Sequence, residues 1–124
     1  MQCIISKSMK TEDKAERWEA QFRKGCLELA ILATLLDGRL YGLEILRKLE
    51  GNPRMAIGEG TVYPILARLK SEGLLESQWV EAEAGHPRKY YRLTRSGRTR
   101  VREMAAFWDE FSGSLDSLLA RLQP

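Results

Sequence analysis

Few residues of this chain could do covalent or metal chemistry, and they lie far apart. There are two cysteines, Cys3 and Cys26, and a single histidine, His86. A zinc site needs about four Cys or His ligands at short, recurring spacings, so no metal site is expected. Cys3 reads as a free N-terminal thiol and Cys26 as a small buried hydrophobe, with a redox-sensing pair as the alternative. The chain has no pairing of a nucleophile with a histidine and no glycine-rich phosphate loop, so neither an enzyme nor a cofactor is expected.

What the chain has in quantity is positive charge, unevenly placed. Residues 1–102 hold 19 Lys/Arg and 13 Asp/Glu, a balance of +6, whereas residues 103–124 hold one Arg and four Asp/Glu, a balance of −3. Between Arg88 and Arg102 there are seven basic residues and no acidic one. That density suits phosphate contact; a solvated basic surface is the plain alternative.

A second chemical face lies in EGTVYPILARLKSEGLL, residues 59–75. Val62, Ile65, Leu66 and Leu69 recur at i, i+3, i+4 and i+7, which predicts an amphipathic helix from near Gly58 or Glu59 to Gly73. Opposite that stripe stand Thr61, Pro64, Ala67 and Arg68, with Tyr63 and Lys70 on the other edge. Small residues allow close approach to a duplex, and hydroxyl and basic groups around them can reach phosphates and base edges. Pro64 is expected in the first turn or just beyond, where few backbone hydrogen bonds are lost.

These faces need elements to hold them. The chain has 124 residues, 44% of them hydrophobic, enough for one domain plus an appendage. No apolar run is long enough to span a membrane, and the N-terminus lacks a signal peptide's apolar region, so a cytoplasmic protein without a membrane partner is expected. Thr11 to Lys24 reads as a charged helix, with Thr11 or Asp13 as caps. Cys26 to Leu36 is apolar on nearly every side and reads as a buried central helix. Tyr41 to Glu50 follows, with Gly42, Ile45, Leu46 and Leu49 on one face and Gly51-Asn52-Pro53 ending it. After Gly73 the period changes. Residues 74–81 and 89–94 read as two strands joined by a loop that holds Gly85, His86 and Pro87, with Tyr91 and Leu93 facing the core and Arg92 available to an acid. The last helix opens at Thr94 or Ser96. Along it Val101, Met104, Trp108, Phe111, Leu115, Leu118 and Leu122 form an a/d seam that predicts pairing between chains, interrupted at Ser112-Gly113-Ser114.

Three helices followed by a hairpin is the order of a winged helix-turn-helix. The expected fold is therefore mainly α (α+β), with a two-stranded β-wing and a long C-terminal dimerisation helix. The expected divisions are an N-terminal extension and helix (1–24), a DNA-binding domain (25–95) and the dimerisation helix (96–124). In such a fold the third helix enters the major groove and the wing follows the backbone. The partner is double-stranded DNA, and a winged-helix dimer that instead binds a protein is the rival reading.

Residues 27–46 (LELAILATLLDGRLYGLEIL), the stretch quoted above and GHPRKYYRLTRSG (residues 85–97) together resemble the PadR family of transcriptional regulators, in its short form with one C-terminal helix. The resemblance covers roughly residues 27–111. It implies a homodimeric transcription factor, usually a repressor, on a palindromic operator. By position it implies DNA contact from Tyr41, from Thr61, Tyr63, Pro64 and Arg68, and from Gly85, Pro87, Arg88 and Lys89 of the wing; Lys70 lies beside them. It also puts Trp108, with Phe111 next to it on the seam, where some short members line a pocket for a small aromatic or hydrophobic effector. Plain dimer packing is the other reading of those two residues. The chain departs from the family pattern at Gly58, where a polar cap is usual, and in its longer N-terminal stretch, within which Met9 is an alternative start.

Overall fold

The computed structural model describes residues 17–81 and 85–122. Cys3, Met9 and the cap candidates Thr11 and Asp13 lie outside the described residues. Residues 17–24 are helical (α1), and the chain turns at Gly25-Cys26, where the Cys26 N–H donates to the Arg23 carbonyl at 2.9 Å. Helix α2 (Leu27–Thr34) follows at once. It buries Leu27, Ile31 and Leu32 but leaves Ala33 exposed and Leu29 and Ala30 only partly covered. The central helix is thus buried on one side, not all round, and its other apolar side is open. Periodicity could not reveal this, because a helix apolar on every side has no preferred face.

Helix α3 (Gly42–Glu50) buries Gly42, Ile45, Leu46 and Leu49, the face expected from their spacing. A 3-10 turn over Pro53–Met55 leads to α4 (Glu59–Ser71), which buries Val62, Leu66 and Leu69 and half-buries Ile65. Gly58 caps α4 with extended backbone and offers no side-chain acceptor. Gly73 ends it at φ 78°, a conformation that costs a glycine little, and the Leu74 N–H returns to the Leu69 carbonyl at 3.0 Å.

The expected hairpin is present as β2 (Leu75–Glu81) and β3 (Pro87–Leu93). A third strand joins it: β1 (Leu40–Tyr41) pairs antiparallel with β3, giving the order β1-β3-β2. Two residues are too few to show an alternation, so this strand left no periodic signal. Leu75, Tyr91 and Leu93 turn inward and close one core with Ile31, Leu32, Leu35, Ile45 and the α4 stripe.

Helix α5 (Arg95–Leu119) begins at a compact knot. The Thr94 hydroxyl donates to the Gly73 carbonyl at 2.6 Å and accepts the Gly97 N–H at 3.0 Å, and the Thr94 N–H reaches the Leu74 carbonyl at 3.1 Å. One residue thereby caps α5 and ties it to the end of α4. The helix runs unbroken through Ser112-Gly113-Ser114, about 37 Å in all at 1.5 Å per residue. Val101, expected on the seam between chains, is only 6% exposed and belongs to the core of its own chain. A seven-residue repeat cannot tell an intrachain partner from a second copy, and the first two turns of α5 have the domain beneath them. The exposed seam starts at Met104, which is half-covered.

A β-carbon at Gly97 would overlap the backbone carbonyl of Leu74. Backbone cannot rotate aside as a side chain can. Gly97→Ala is therefore expected to lower unfolding free energy by about 1–3 kcal/mol despite alanine's better helix propensity, read from urea denaturation.

Candidate nucleic-acid interface

The outward surface of α4 is assembled from small residues. Gly60, Pro64, Ala67 and Ser71, spaced three or four apart opposite the buried stripe, are all exposed. Pro64 is the sixth residue of the helix rather than part of its first turn. The ladder begins with the Val62 N–H on the Gly58 carbonyl, so proline removes one bond, the one Gly60's carbonyl would accept. Thr61 is exposed on one flank of this face, and Tyr63 and Lys70 on the other.

Arg68, on the Thr61 flank, reaches sideways. Its guanidinium pairs with Glu28 of α2 at 3.1 Å and with Glu72 at 2.9 Å, while Arg100 of α5 pairs with Glu28 from the other side at 3.2 Å. The structure thus engages this expected DNA contact in an intrachain cluster joining α4, α2 and α5.

Tyr63 is 41% exposed, and its ring lies against the backbone at the start of α3. A β-carbon at Gly42 would stand 2.5 Å from the ring's Cε1 and 2.7 Å from its hydroxyl. Only glycine lets the ring in. Tyr91, on β3, has its phenol pushed above its ordinary value of 10.0, first by burial and second by the charge of Tyr63.

Tyr41 is the residue before α3, and its N–H donates to the Glu44 carboxylate at 3.1 Å. Its ring meets Tyr90 edge-on at 5.5 Å, and the Arg88 guanidinium sits 4.6 Å from its centroid. Arg39 sits likewise 4.6 Å over Tyr90. Four side chains from β1, its approach and β3 thus stack on the outer face of the sheet with a cation at each end. Arg39 and Tyr90 were missing from the sequence expectation. Neither carried a signal in the sequence, because the two-residue strand that sets Tyr41 opposite Tyr90 shows only in the fold.

In the wing the register sets Glu81 opposite Pro87, Val80 opposite Arg88 and Trp79 opposite Lys89. Gly85 turns at φ 82° and is exposed with Pro87 and Arg88. The Lys89 ammonium lies 5.9 Å from the Trp79 ring and 5.7 Å from the Tyr91 ring. Arg92 forms an ion pair with Glu76 directly across the hairpin.

Behind these faces α5 presents bare apolar surface. Trp108 is 44% and Phe111 47% exposed, Leu118 and Leu122 far more, and Phe107 stacks on Phe111 at 5.5 Å. Leu115 is half-covered. A groove of about 750 Å³ runs between α5 and the α1–α2 corner, lined by Phe22, Leu29, Met104, Phe107, Trp108 and Leu115. A second, of about 670 Å³, continues over the open side of α2 past Trp18, Ala33 and Met55. Cys26, a half-buried free thiol, borders both. Among the described residues no three His, Cys, Asp or Glu side chains gather as a metal site.

Comparison with known proteins bears on this arrangement. The family model of the PadR-like transcriptional regulators matches residues 31–103. A PadR-family transcriptional regulator from Eggerthella lenta is 32% identical over 90% of this chain and 96% of its own, with a TM-score of 0.80. A PadR-like regulator from Bacillus cereus is 33% identical over 80% of this chain and 96% of its own, with a TM-score of 0.72. A transcriptional regulator of Mycobacterium tuberculosis is 31% identical across 67% of this chain and 76% of its own length.

The chain belongs to the PadR-like family of transcriptional regulators. It is a winged-helix protein of a family that regulates transcription through DNA and is not enzymatic. No described helix is long and apolar enough to cross a membrane. The matched segment takes in the whole α4 face, the wing and α5 as far as Glu103.

Two outcomes are expected from the Gly42–Tyr63 contact and the burial of Tyr91 in this PadR-like chain. Gly42→Ala displaces an exposed ring rather than backbone, so the melting temperature should hardly change while affinity for a DNA target falls roughly tenfold in a gel-shift titration. Tyr91, with its phenol raised, favours the folded state while neutral. That contribution is complete below pH 10 and is lost as pH rises through the raised value. Phenolate absorbance should therefore report one late-titrating tyrosine, and in Tyr63→Phe it should titrate earlier.

Proposed function

We propose that the protein acts as a homodimeric repressor on a palindromic operator, with the α4 helices of two copies in successive major grooves roughly 34–36 Å apart. The observation that carries the reading is the bare apolar seam of α5 beyond Met104, in a chain whose α4 and wing expose polar and basic residues. A seam so exposed on an isolated helix is an unfavourable use of apolar surface unless a second copy covers it. In this reading Thr61, Tyr63, Pro64 and Lys70 meet the groove, and Tyr41, Gly85, Pro87, Arg88 and Lys89 meet the backbone. Arg68 contributes by bracing α4 against α2.

A small aromatic or hydrophobic effector is the proposed release signal, seated between paired α5 helices against Trp108 and Phe111 by offset stacking. The size and apolar lining of the grooves beside Trp108 favour it over plain helix packing at that position. Cytoplasmic residence accords with a DNA target.

Footprinting of the gene's own upstream region, with and without flat aromatic compounds, tests the reading. A symmetric footprint that the compounds remove supports it, and no specific binding at low salt favours a dimer that serves a protein partner instead. Leu118→Glu is expected to shift sedimentation from dimer to monomer. Arg88→Ala should weaken binding to every sequence tested and lower the salt slope by about one phosphate's worth. An unaltered slope would remove Arg88 from the backbone contacts.

A further inference from the structure

Trp79 stands out from every other aromatic residue near the wing. It is 65% exposed, although an indole is among the most costly side chains to leave in water. It lies far along the chain from the apolar seam and borders neither groove beside α5. Strand alternation sets Trp79 on the same face of β2 as Leu75, the face packed against α4. Leu75 ends in the core, and Trp79, four residues farther out, projects past its edge. Its cross-strand partner is Lys89, whose ammonium hovers between the Trp79 and Tyr91 rings. Tyr91 in turn belongs to the core that the buried stripe of α4 closes. The series Tyr91, Lys89, Trp79 therefore runs along one face of the hairpin, from the core beside α4 out along the wing.

From this placement we infer that Trp79 is itself a DNA-contacting residue: its indole packs on deoxyribose where the backbone passes between α4 and the wing, beside the phosphate that Lys89 engages. The inference rests on the DNA-binding reading and adds an apolar contact to it. A sugar presents C–H groups of the kind an indole face covers well, and its burial does not depend on counterion release. The adjacent rings hold Lys89 in place without neutralising it, so its charge stays available to a phosphate.

The experiment measures operator affinity across a salt series for the full-length chain and for Trp79→Ala, Trp79→Phe and Lys89→Ala, with acrylamide quenching of tryptophan fluorescence in the free and bound states. Trp79→Ala, at an exposed position, should melt like the wild type and bind roughly tenfold more weakly with an unchanged salt slope. Lys89→Ala should lower the slope by about one phosphate. Trp79→Phe should keep most of the affinity, while the DNA-protected part of the fluorescence seen in the wild type disappears. Wild-type affinity in Trp79→Ala, or an indole that stays equally quenchable in the complex, overturns the inference alone. A loss of affinity with a matching loss of slope also overturns it, because Trp79 would then only hold Lys89. Absence of wild-type binding to any upstream fragment at low salt overturns the DNA-binding reading and this inference with it.

Discussion

The seating of the Tyr63 ring on the bare backbone of Gly42 ties α4 to the start of α3. Gly42, the first residue of α3, offers no β-carbon, and the ring fills the space one would take, while the buried Val62, Leu66 and Leu69 leave the small-residue face of α4 outward. The residue before Gly42 is Tyr41, which stacks on Tyr90 and carries Arg88. These contacts thus link α4, the start of α3 and the wing. Each contact in the series is modest, of the order of 1 kcal/mol for an aromatic pair, but together they leave little freedom between the elements.

The basic residues divide according to what holds them. Arg68 and Arg100 converge on Glu28, and Arg92 is matched by Glu76. These pairs are partly exposed and screened, so they add little to stability, yet they cancel charge locally and fix directions. Arg39, Arg88 and Lys89 are instead held by aromatic rings. A ring orients a cation through its quadrupole and leaves the full positive charge to act outward. Arg68 and Arg100 lie where α4, α2 and α5 meet and Arg92 lies across the hairpin from Glu76, whereas the ring-held cations lie on β3 and at the approach to β1.

The parts of this arrangement that were legible in the sequence are those set by local periodicity or by one residue's chemistry. The Val62, Leu66, Leu69 stripe, the Gly42, Ile45, Leu46, Leu49 face, the stop at Gly73 and the cap at Thr94 all follow from neighbours within a turn or two. The parts that were not legible depend on partners distant in the chain. Arg68 sits near the outward face by helical geometry, but its side chain is long enough to reach Glu28, forty residues earlier. Val101 keeps the seven-residue rhythm of the seam yet lies where α5 still has its own domain underneath. Strand β1 exists because β3 offers an unpaired edge, which two residues of sequence cannot announce.

The knot at Thr94 gives the proposed dimer a mechanical property. Because the end of α4, the start of β2 and the first turn of α5 share hydrogen bonds through one residue, α5 cannot change direction without carrying the α4–wing body along. Trp108 lies three turns beyond Gly97, about 16 Å along the axis. A ligand wedged there between two α5 helices would act on a lever whose short arm is the knot and whose far end is the recognition helix. Such a ligand still needs a preference: only if it binds one spacing of the pair more tightly than the other can it shift the dimer away from the spacing that fits DNA. The open side of α2 bears on this point. Leu29, Ala30 and Ala33 leave an apolar groove beside Trp108, and a flat apolar molecule is the kind of occupant that would fit it.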